Sequence, residues 1–522
     1  MARFPYHAMD MNALQFNDIE STRLLVGLEI HVELATRSKM FTRAANPANP
    51  EFHDADPNTL VDPVVAALPG TLPVMNRRAV EMSAMVGLAL GCSISTHSKW
   101  DRKNYYYPDL PKGYQISQFD LPLCYEGAID IDSVSPTSEG TRRIGITRAH
   151  LEEDTGKLGH ELPGGGRYSG SLVDLNRAGT PLLEIVTEPD FDCADDVVTF
   201  ARELRSLCRY LGVTEGVMQR GHMRFEPNIN VIITTKDGRE FRTPVVEIKN
   251  LNSFRAVQAA IEHENVRQVE EFLSTGREMG AGMKSTRGWD DQKLVTVLQR
   301  EKEDAHDYRY FPEPDLIPVE IDEAWLKTIA EEVPELPIAR RARYMNELGL
   351  AEKDARALVD ERANCHFFED GLAELGGESP SVDQARDIAK VMLNQLAKRA
   401  NEQGVQLHAT GVSPLAVARI VRMRMAGEIG PQAVDALLGL AAEGREDIVE
   451  LANEHGLVMV RDEGAIEEWI EDAIKAQPQA AEDVAAGKDA AIGRLVGHVM
   501  KASKGQADAK DVSARLFARL RN

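Results

Sequence analysis

Glu29 and His31 stand two residues apart in the run Leu24-Leu25-Val26-Gly27-Leu28-Glu29-Ile30-His31-Val32-Glu33-Leu34, with Glu33 one step further on. Leu24, Val26, Leu28, Ile30, Val32 and Leu34 share one parity, and the three polar residues share the other. Such alternation predicts a β-strand with one buried face. Residues two apart on a strand lie about 6.5–7 Å from one another on the same face, so the imidazole and the carboxylate can converge on one ion or one substrate. That pair suits Mg²⁺, Mn²⁺ or Zn²⁺. The pattern equally describes the wet outer face of an antiparallel sheet, and the strand alone leaves both readings open.

Three other stretches hold groups of the same kind. His150-Leu151-Glu152-Glu153-Asp154-Thr155-Gly156-Lys157 sets three acids side by side. They repel one another unless a cation or solvent screens them, so the segment is either a metal ligand source or a solvated turn. Glu184 sits alone among Leu182, Leu183, Ile185 and Val186. A lone carboxylate in an apolar strand is costly unless it is paired, protonated or metal-bound. Between Lys99 and Tyr114, Lys99, Arg102, Lys103 and Lys112 interleave with Trp100, Tyr105, Tyr106, Tyr107 and Tyr114. Cations beside aromatic faces suit phosphates and stacked bases, although an aromatic mini-core in a Pro-rich loop has the same composition. The runs Val246–Phe254, Lys284–Asp290 and His306–Phe311 add amide, Arg, aromatic and acidic groups.

The elements that must position these groups divide the chain. Residues from about 21 to 318 are rich in Gly, Pro, Asn and short alternating runs, with helical periodicity at Arg77–Leu90, Asp195–Tyr210 and Arg255–Ser274. This predicts an α+β domain around a mainly antiparallel sheet, occupying 1–318 with 1–20 as a poorly ordered extension. The cluster Pro312-Glu313-Pro314-Asp315-Leu316-Ile317-Pro318 marks the predicted boundary. Beyond it the periodicity is 3.6, giving an all-helical domain over 319–445 and a small helical tail over 446–522. The tail ends in a basic stretch holding Arg494, Lys501, Lys504, Lys510, Arg515, Arg519 and Arg521 against Asp508 and Asp511.

A length of 522 residues calls for two to four domains. A net charge of −23 argues against non-specific coating of nucleic acid, while leaving room for a local basic patch. The five cysteines are scattered and never in CxxC spacing, which suggests reduced thiols in a cytoplasmic protein. No apolar run approaches a membrane span, and residues 1–20 do not read as a signal peptide. There is no G-x-x-x-x-G-K-[ST] phosphate loop, no G-x-S-x-G elbow, and Gly164-Gly165-Gly166-Arg167 lacks the strand-to-helix context of a nucleotide loop.

Eight strings in fixed order resemble one family. They are G-L-E-I-H-V-E-L (27–34), L-P-G-T-L-P-V-M-N (68–76), the 20-residue run from Asp101 to Asp120, H-L-E-E-D-T-G-K (150–157), L-V-D-L-N-R-A-G-T-P-L-L-E-I-V (172–186), V-E-I-K-N-L-N-S-F (246–254), T-R-G-W-D (286–290) and A-H-D-Y-R-Y-F-P-E-P-D-L (305–316). With V-G-H-V-M-K-A-S-K-G-Q-A-D (496–508), they closely resemble the B-subunit family of bacterial aspartyl/glutamyl-tRNA amidotransferases, from about residue 24 to the C-terminus.

The resemblance implies a glutamine-synthetase-like catalytic cradle in the first domain. It implies a carbon–nitrogen ligase with glutamine as amide donor, acting on Glu-tRNA(Gln) or Asp-tRNA(Asn). ATP and Mg²⁺ serve to phosphorylate the side-chain carboxylate, and ammonia then displaces phosphate. Ammonia must come from an amidase-type A subunit, because nothing in the chain resembles a Ser-Ser-Lys site; a small C subunit completes a heterotrimer. Carried over by motif position, Glu29, His31, Glu153 and Glu184 are the metal ligands, Lys103, Arg224 and Lys249 contact nucleotide phosphates or the tRNA acceptor end, and the basic tail grips the tRNA body. Many family members bind zinc through four cysteines in the segment matching Phe41–Ala67; here that segment has none, so no zinc is expected there. Gly221–Asn230 also departs from the family's G-S-x-R-C-D-A-N-V-S, with Glu226 for Asp and Pro227 for Ala. A non-catalytic tRNA-binding scaffold and a free-standing metal-dependent hydrolase are the competing readings.

Overall fold

The computed structural model describes residues 14–162, 165–280, 282–301, 308–377, 380–460, 462–503 and 505–521. Most of the predicted 1–20 extension, together with Gly164, His306, Asp307 and Lys504 of the motifs above, lies outside them. The alternating run forms β1 (Ile19–Glu33), which already includes the last two residues assigned to that extension. Nine further strands continue its sheet: β2 (Asp101–Asn104), β3 (Tyr114–Ser117), β4 (Thr141–Glu153), β5 (Pro181–Thr187), β6 (Met223–Thr235), β7 (Val246–Lys249), β8 (Ser285–Asp290), β9 (Val295–Glu301) and β10 (Phe311–Pro312). Their spatial order is β9-β8-β7-β6-β1-β5-β4-β3-β2-β10, and three short or flanking strands complete a 13-stranded sheet.

All neighbours along this path pair antiparallel except β7 and β8, which run parallel. The β7-to-β8 connection is long enough for a parallel return because it contains a 22-residue helix. Val26, Leu28, Ile30 and Val32 of β1 are at most 1% exposed. They lie among strands that carry α1 (Arg77–Ala89), α2 (Ala194–Tyr210) and α3 (Phe254–Thr275). These three helices stand within a residue or so of their predicted bounds. Two have an interpretable start: Asn76 caps α1, and the Ser253 hydroxyl accepts from Ala256 N at the head of α3. The fold is α+β, as expected.

The first compact unit extends to Leu336 and the second spans Pro337–Asn522. The proline cluster at 312–318 is therefore not the border. Val319–Glu320 pairs with His97–Ser98 in a small ribbon. The helix after it, α4 (Glu323–Glu332), packs on α1. Trp325 Nε1 donates to Glu81 at 3.1 Å, the Arg77 guanidinium lies 4.6 Å from the Trp325 ring, and Arg78 meets Glu332 at 2.8 Å. The prolines turn the chain without releasing it.

In the second unit the regular elements among the described residues are helical. Its last four helices, Glu463–Ala476, Pro478–Ala485, Ile492–Ala502 and Ala509–Arg521, enclose a core of their own built on Ile466, Ile470, Val484, Leu495, Val499, Val512 and Leu516. Ile448–Glu454 packs instead on the preceding helices, so this small core begins later than residue 446. The terminal arginines are largely paired. Arg515 meets Asp511 at 2.9 Å, Arg519 meets Glu467 and Glu471 at 2.6 and 2.8 Å, and Arg521 meets Asp489. Much of the positive surplus read from the sequence is thus offset by acids on the same helix and on neighbouring elements. No helix among the described residues is long and apolar enough to cross a membrane.

Candidate active site

Register decides which polar groups share a face. In the centre of the sheet, His31 stands opposite Glu184 on β5 and opposite Arg224 on β6. Glu184 in turn stands opposite His150 on β4, and Glu29 opposite Glu226 on β6. Directly opposed residues in an antiparallel pair point to the same side. The polar parity of β1 therefore continues across four strands, back to back with the apolar parity.

The result is a cluster of acids and imidazoles. His31 Nε2 lies 3.4 Å from Glu184 Oε2 and 3.9 Å from Glu152 Oε1, and His31 Nδ1 lies 4.0 Å from Glu226. His150 Nε2 lies 3.6 Å from the same Glu184 oxygen. On the β7 side, Lys249 Nζ bridges Glu226 and Glu247 at 3.1 and 3.0 Å. Lys284, just before β8, lies 3.9 Å from Glu29 and 3.7 Å from Glu247. Asn228 donates to Glu29 at 3.0 Å. Apart from Glu152 and Asn228, these groups line a cavity of ≈ 360 Å³ that also takes in Lys103, Arg300, Tyr308 and Tyr310. A second hollow of ≈ 440 Å³ shares Lys103, Lys249, Thr286, Arg300 and Tyr308 with it and is walled by Tyr105, Tyr106 and Tyr107. Lys103 Nζ lies 5.2 Å over the Tyr308 ring, and Phe119 stacks on Tyr310 at 4.1 Å.

Burial and proximity set the protonation of this cluster. Burial works against charge on His31, but the hydrogen bond to Glu184 and the charge of Glu226 outweigh it and raise the imidazole to about 9. Burial also penalises Glu184, yet His150 and His31 hold it well below the usual carboxylate range. His150, buried with less support, is pushed down to about 4. Burial raises Glu29, helped by Glu184 and opposed by Lys284, and burial raises Glu152. Lys103 keeps its charge: burial opposes it, but Glu152, Tyr310 and Glu184 lift it above its ordinary range.

Two triads have donor atoms close enough to share a cation, His31 with Glu152 and Glu184, and Glu29 with Glu226 and Glu247, each within 4.8 Å. Oxygen-dominated sets of this kind fit Mg²⁺ or Mn²⁺. His31 Nδ1, His150 Nδ1 and Asn228 Oδ1 are buried without hydrogen-bond partners. Carboxylates crowded beyond what the nearby lysines neutralise, with orphaned polar atoms among them, fit a bound cation.

Of the residues expected here, Glu29, His31 and Glu184 come together, and Lys103 and Lys249 line the same cavity. Glu153 does not join them. Its parity on β4 is that of Leu151, so it points to the other face, where its carboxylate accepts from Ile116 N at 2.9 Å and from Lys112 Nζ. Glu152 occupies the place assigned to it. Strand parity carried this signal: His150 faces Glu184, so the acid on that side of β4 must be residue 152. Arg224 is also placed differently. It is half-buried near Glu33 and donates to Asp154 at 2.6 Å, next to Arg177 at 3.5 Å from the same acid. It pairs with His31 across the strands but does not line the cavity. His150, Glu247, Lys284 and Arg300 were not anticipated individually, although the first three fall within or at the edge of motifs singled out from the sequence.

Comparison with known proteins identifies the family. A family described as the GatB/GatE catalytic domain matches residues 24–327, and one described as the GatB domain matches 377–520. The first ends close to the observed division between units. Similar proteins, named as the B subunit of aspartyl/glutamyl-tRNA(Asn/Gln) amidotransferase, include those of Thermomicrobium roseum, 43% identical over 93% of this chain and 95% of that protein, and Caldicellulosiruptor saccharolyticus, 41% identical over 93% and 96%. That of Nitratidesulfovibrio vulgaris is 40% identical over 96% of this chain and 99% of its own length. With both halves matched and nearly the whole length covered, the chain belongs to the B-subunit family of the aspartyl/glutamyl-tRNA(Asn/Gln) amidotransferases.

Proposed function

We propose that this chain activates and amidates the side-chain carboxylate of Glu on tRNA(Gln), or of Asp on tRNA(Asn), as the B subunit of a heterotrimer with a glutaminase A subunit and a small C subunit, in the cytoplasm. The observation that carries the reading is the buried acid–imidazole cluster ringed by Lys103, Lys249, Lys284 and Arg300. A carboxylate is a poor acyl donor, because neither of its oxygens is a good leaving group. Transfer of the γ-phosphoryl of ATP to one of its oxygens expels ADP and makes an acyl phosphate, from which ammonia displaces inorganic phosphate as the C–N bond forms.

Glu29, His31, Glu152 and Glu184, with Glu226 and Glu247, supply the groups that would hold Mg²⁺, and a divalent ion there neutralises phosphate charge and aligns the transfer. Lys103 and Lys249 face the same space and offer permanent positive charge to phosphate oxygens. Tyr105, Tyr106 and Tyr107 offer faces on which a terminal base can stack. We read the first unit as the glutamine-synthetase-like cradle, a reading supported by a mainly antiparallel sheet that gathers its acids on one side. We read the four-helix tail as the part that holds the tRNA body, through the basic residues left outside its internal ion pairs.

The test is ADP release by the chain assembled with its glutaminase partner, with glutamine and Mg²⁺. ADP formation coupled to amide formation only with the mischarged tRNA is the expected result. Tight tRNA binding with no ADP formed under any condition would reduce the chain to a scaffold.

A further inference from the structure

His53 and His222 are far apart in sequence, and neither belongs to the cavity above. His53 lies in the Phe41–Ala67 segment, just after the short 3₁₀ turn Pro50–Phe52. His222 follows Gly221, whose φ of +87° turns the chain into β6. Their rings meet with centroids 5.3 Å apart at 37°. Glu215 approaches from the same turn, with Oε2 3.6 Å from His53 Nε2. One donor atom from each of the three lies within 4.8 Å of the other two.

Two tilted imidazoles in contact would alone be unremarkable packing. Here both rings also leave a buried nitrogen unsatisfied: His53 Nε2 and His222 Nδ1 have no hydrogen-bond partner, and His222 is only 3% exposed. A buried imidazole normally finds a partner for each nitrogen. We propose that His53, Glu215 and His222 form a second metal site, taking a divalent transition ion of the zinc class and tying the loop around His53 to the turn that starts β6.

Two imidazoles and one carboxylate are a borderline donor set of the kind Zn²⁺ prefers over Mg²⁺. Ligands about 2.1 Å from a tetrahedral zinc stand about 3.4 Å from one another; His53 and Glu215, at 3.6 Å, are close to that spacing, and all three donors lie within 4.8 Å. Glu215 is partly exposed, which gives an entry path and room for a water as fourth ligand. The scaffold is already pinned. Asp54 and Arg220 join the same two segments through two hydrogen bonds of 3.0 Å, and Glu33 N donates to His222 O at 2.9 Å. Burial and the neighbouring His53 hold His222 below its ordinary range, so the ring offers a lone pair to an ion. The segment expected to lack zinc for want of cysteines thus contributes a histidine instead. The ion would fasten the end of β6 from which Arg224 and Glu226 project.

The test is titration of the chelator-stripped full-length chain with Co²⁺, followed by its visible d–d absorption, and with Zn²⁺ by calorimetry, both in excess Mg²⁺ to occupy the oxygen-rich cavity. One equivalent is expected to bind. Affinity should fall by more than about 100-fold in His53→Ala and in His222→Ser, since even outer-shell changes cost 10–100-fold, and should persist in His31→Ala. Zn²⁺ should raise the melting temperature of the parent chain but not that of His53→Ala. If His222→Ser fails to fold, His53→Ala and Glu215→Gln carry the test, because both side chains are less deeply buried than His222. Absence of a bound equivalent, unchanged binding in those two variants, or loss confined to His31→Ala would overturn the proposal.

Discussion

At the scale of single residues, the cluster predicts separable effects for neighbouring acids. Glu152 faces His31, whereas Glu153 is tied to Ile116 N and Lys112 on the other face. Glu152→Gln should lower amidation in the assembled complex by at least about 100-fold with the melting temperature nearly unchanged. Glu153→Gln should instead lower the melting temperature and touch the rate less. The two histidines respond to pH in opposite senses. His31, raised to about 9 from an ordinary 6.5, stabilises the metal-free chain below the ordinary value, and that stabilisation is lost as pH climbs through about 9. His150, lowered to about 4, costs stability as pH falls below 6.5. A cation at His31 must displace its proton, and by the same linkage Mn²⁺ affinity in the cavity should rise by up to about 50-fold between pH 7 and 9. Mn²⁺ titration by electron paramagnetic resonance at the two pH values checks this, with His31→Asn expected to flatten the dependence.

At the scale of elements, β1 was the most legible part of the chain, because strict alternation fixes both the strand and which residues face the core. Ile30 is fully buried, so Ile30→Ala should destabilise the protein by about 2–5 kcal/mol, measured by denaturant unfolding. Helices α1, α2 and α3 were legible from their periodicity. The misplacements share a cause. Choosing Glu153 over Glu152 needed the pairing of β4 with β5, and placing Arg224 against Asp154 needed the approach of segments 70 residues apart. Register and long-range approach are properties of the folded chain that local pattern does not encode. The proline cluster misled for a related reason. Prolines forbid helix and central strand locally, but whether the chain then leaves the unit depends on what the next helix packs against, and α4 packs on α1.

At the scale of the whole molecule, an acidic chain must handle an acidic partner. Ion pairs already engage Arg515, Arg519 and Arg521, whereas Lys501 lies in the last turn of Ile492–Ala502. Lys501→Gln should therefore weaken tRNA binding more than Arg519→Gln does, while Arg519→Gln should loosen the tail; filter binding at two salt concentrations and thermal melting separate the two. The central place of β1 has a consequence for synthesis. Its partners β5 and β6 end about 150 and 200 residues downstream. At about 5–20 residues per second, the ribosome takes on the order of 10–30 seconds to deliver the first of them. Throughout that interval β1's row of Val26, Leu28, Ile30 and Val32 has neither neighbour, and His31 has no carboxylate from β5 to face. The acid–imidazole cluster is therefore assembled late, from a strand made early, and the growing chain presents a long apolar edge that invites chaperone capture before it can bind anything.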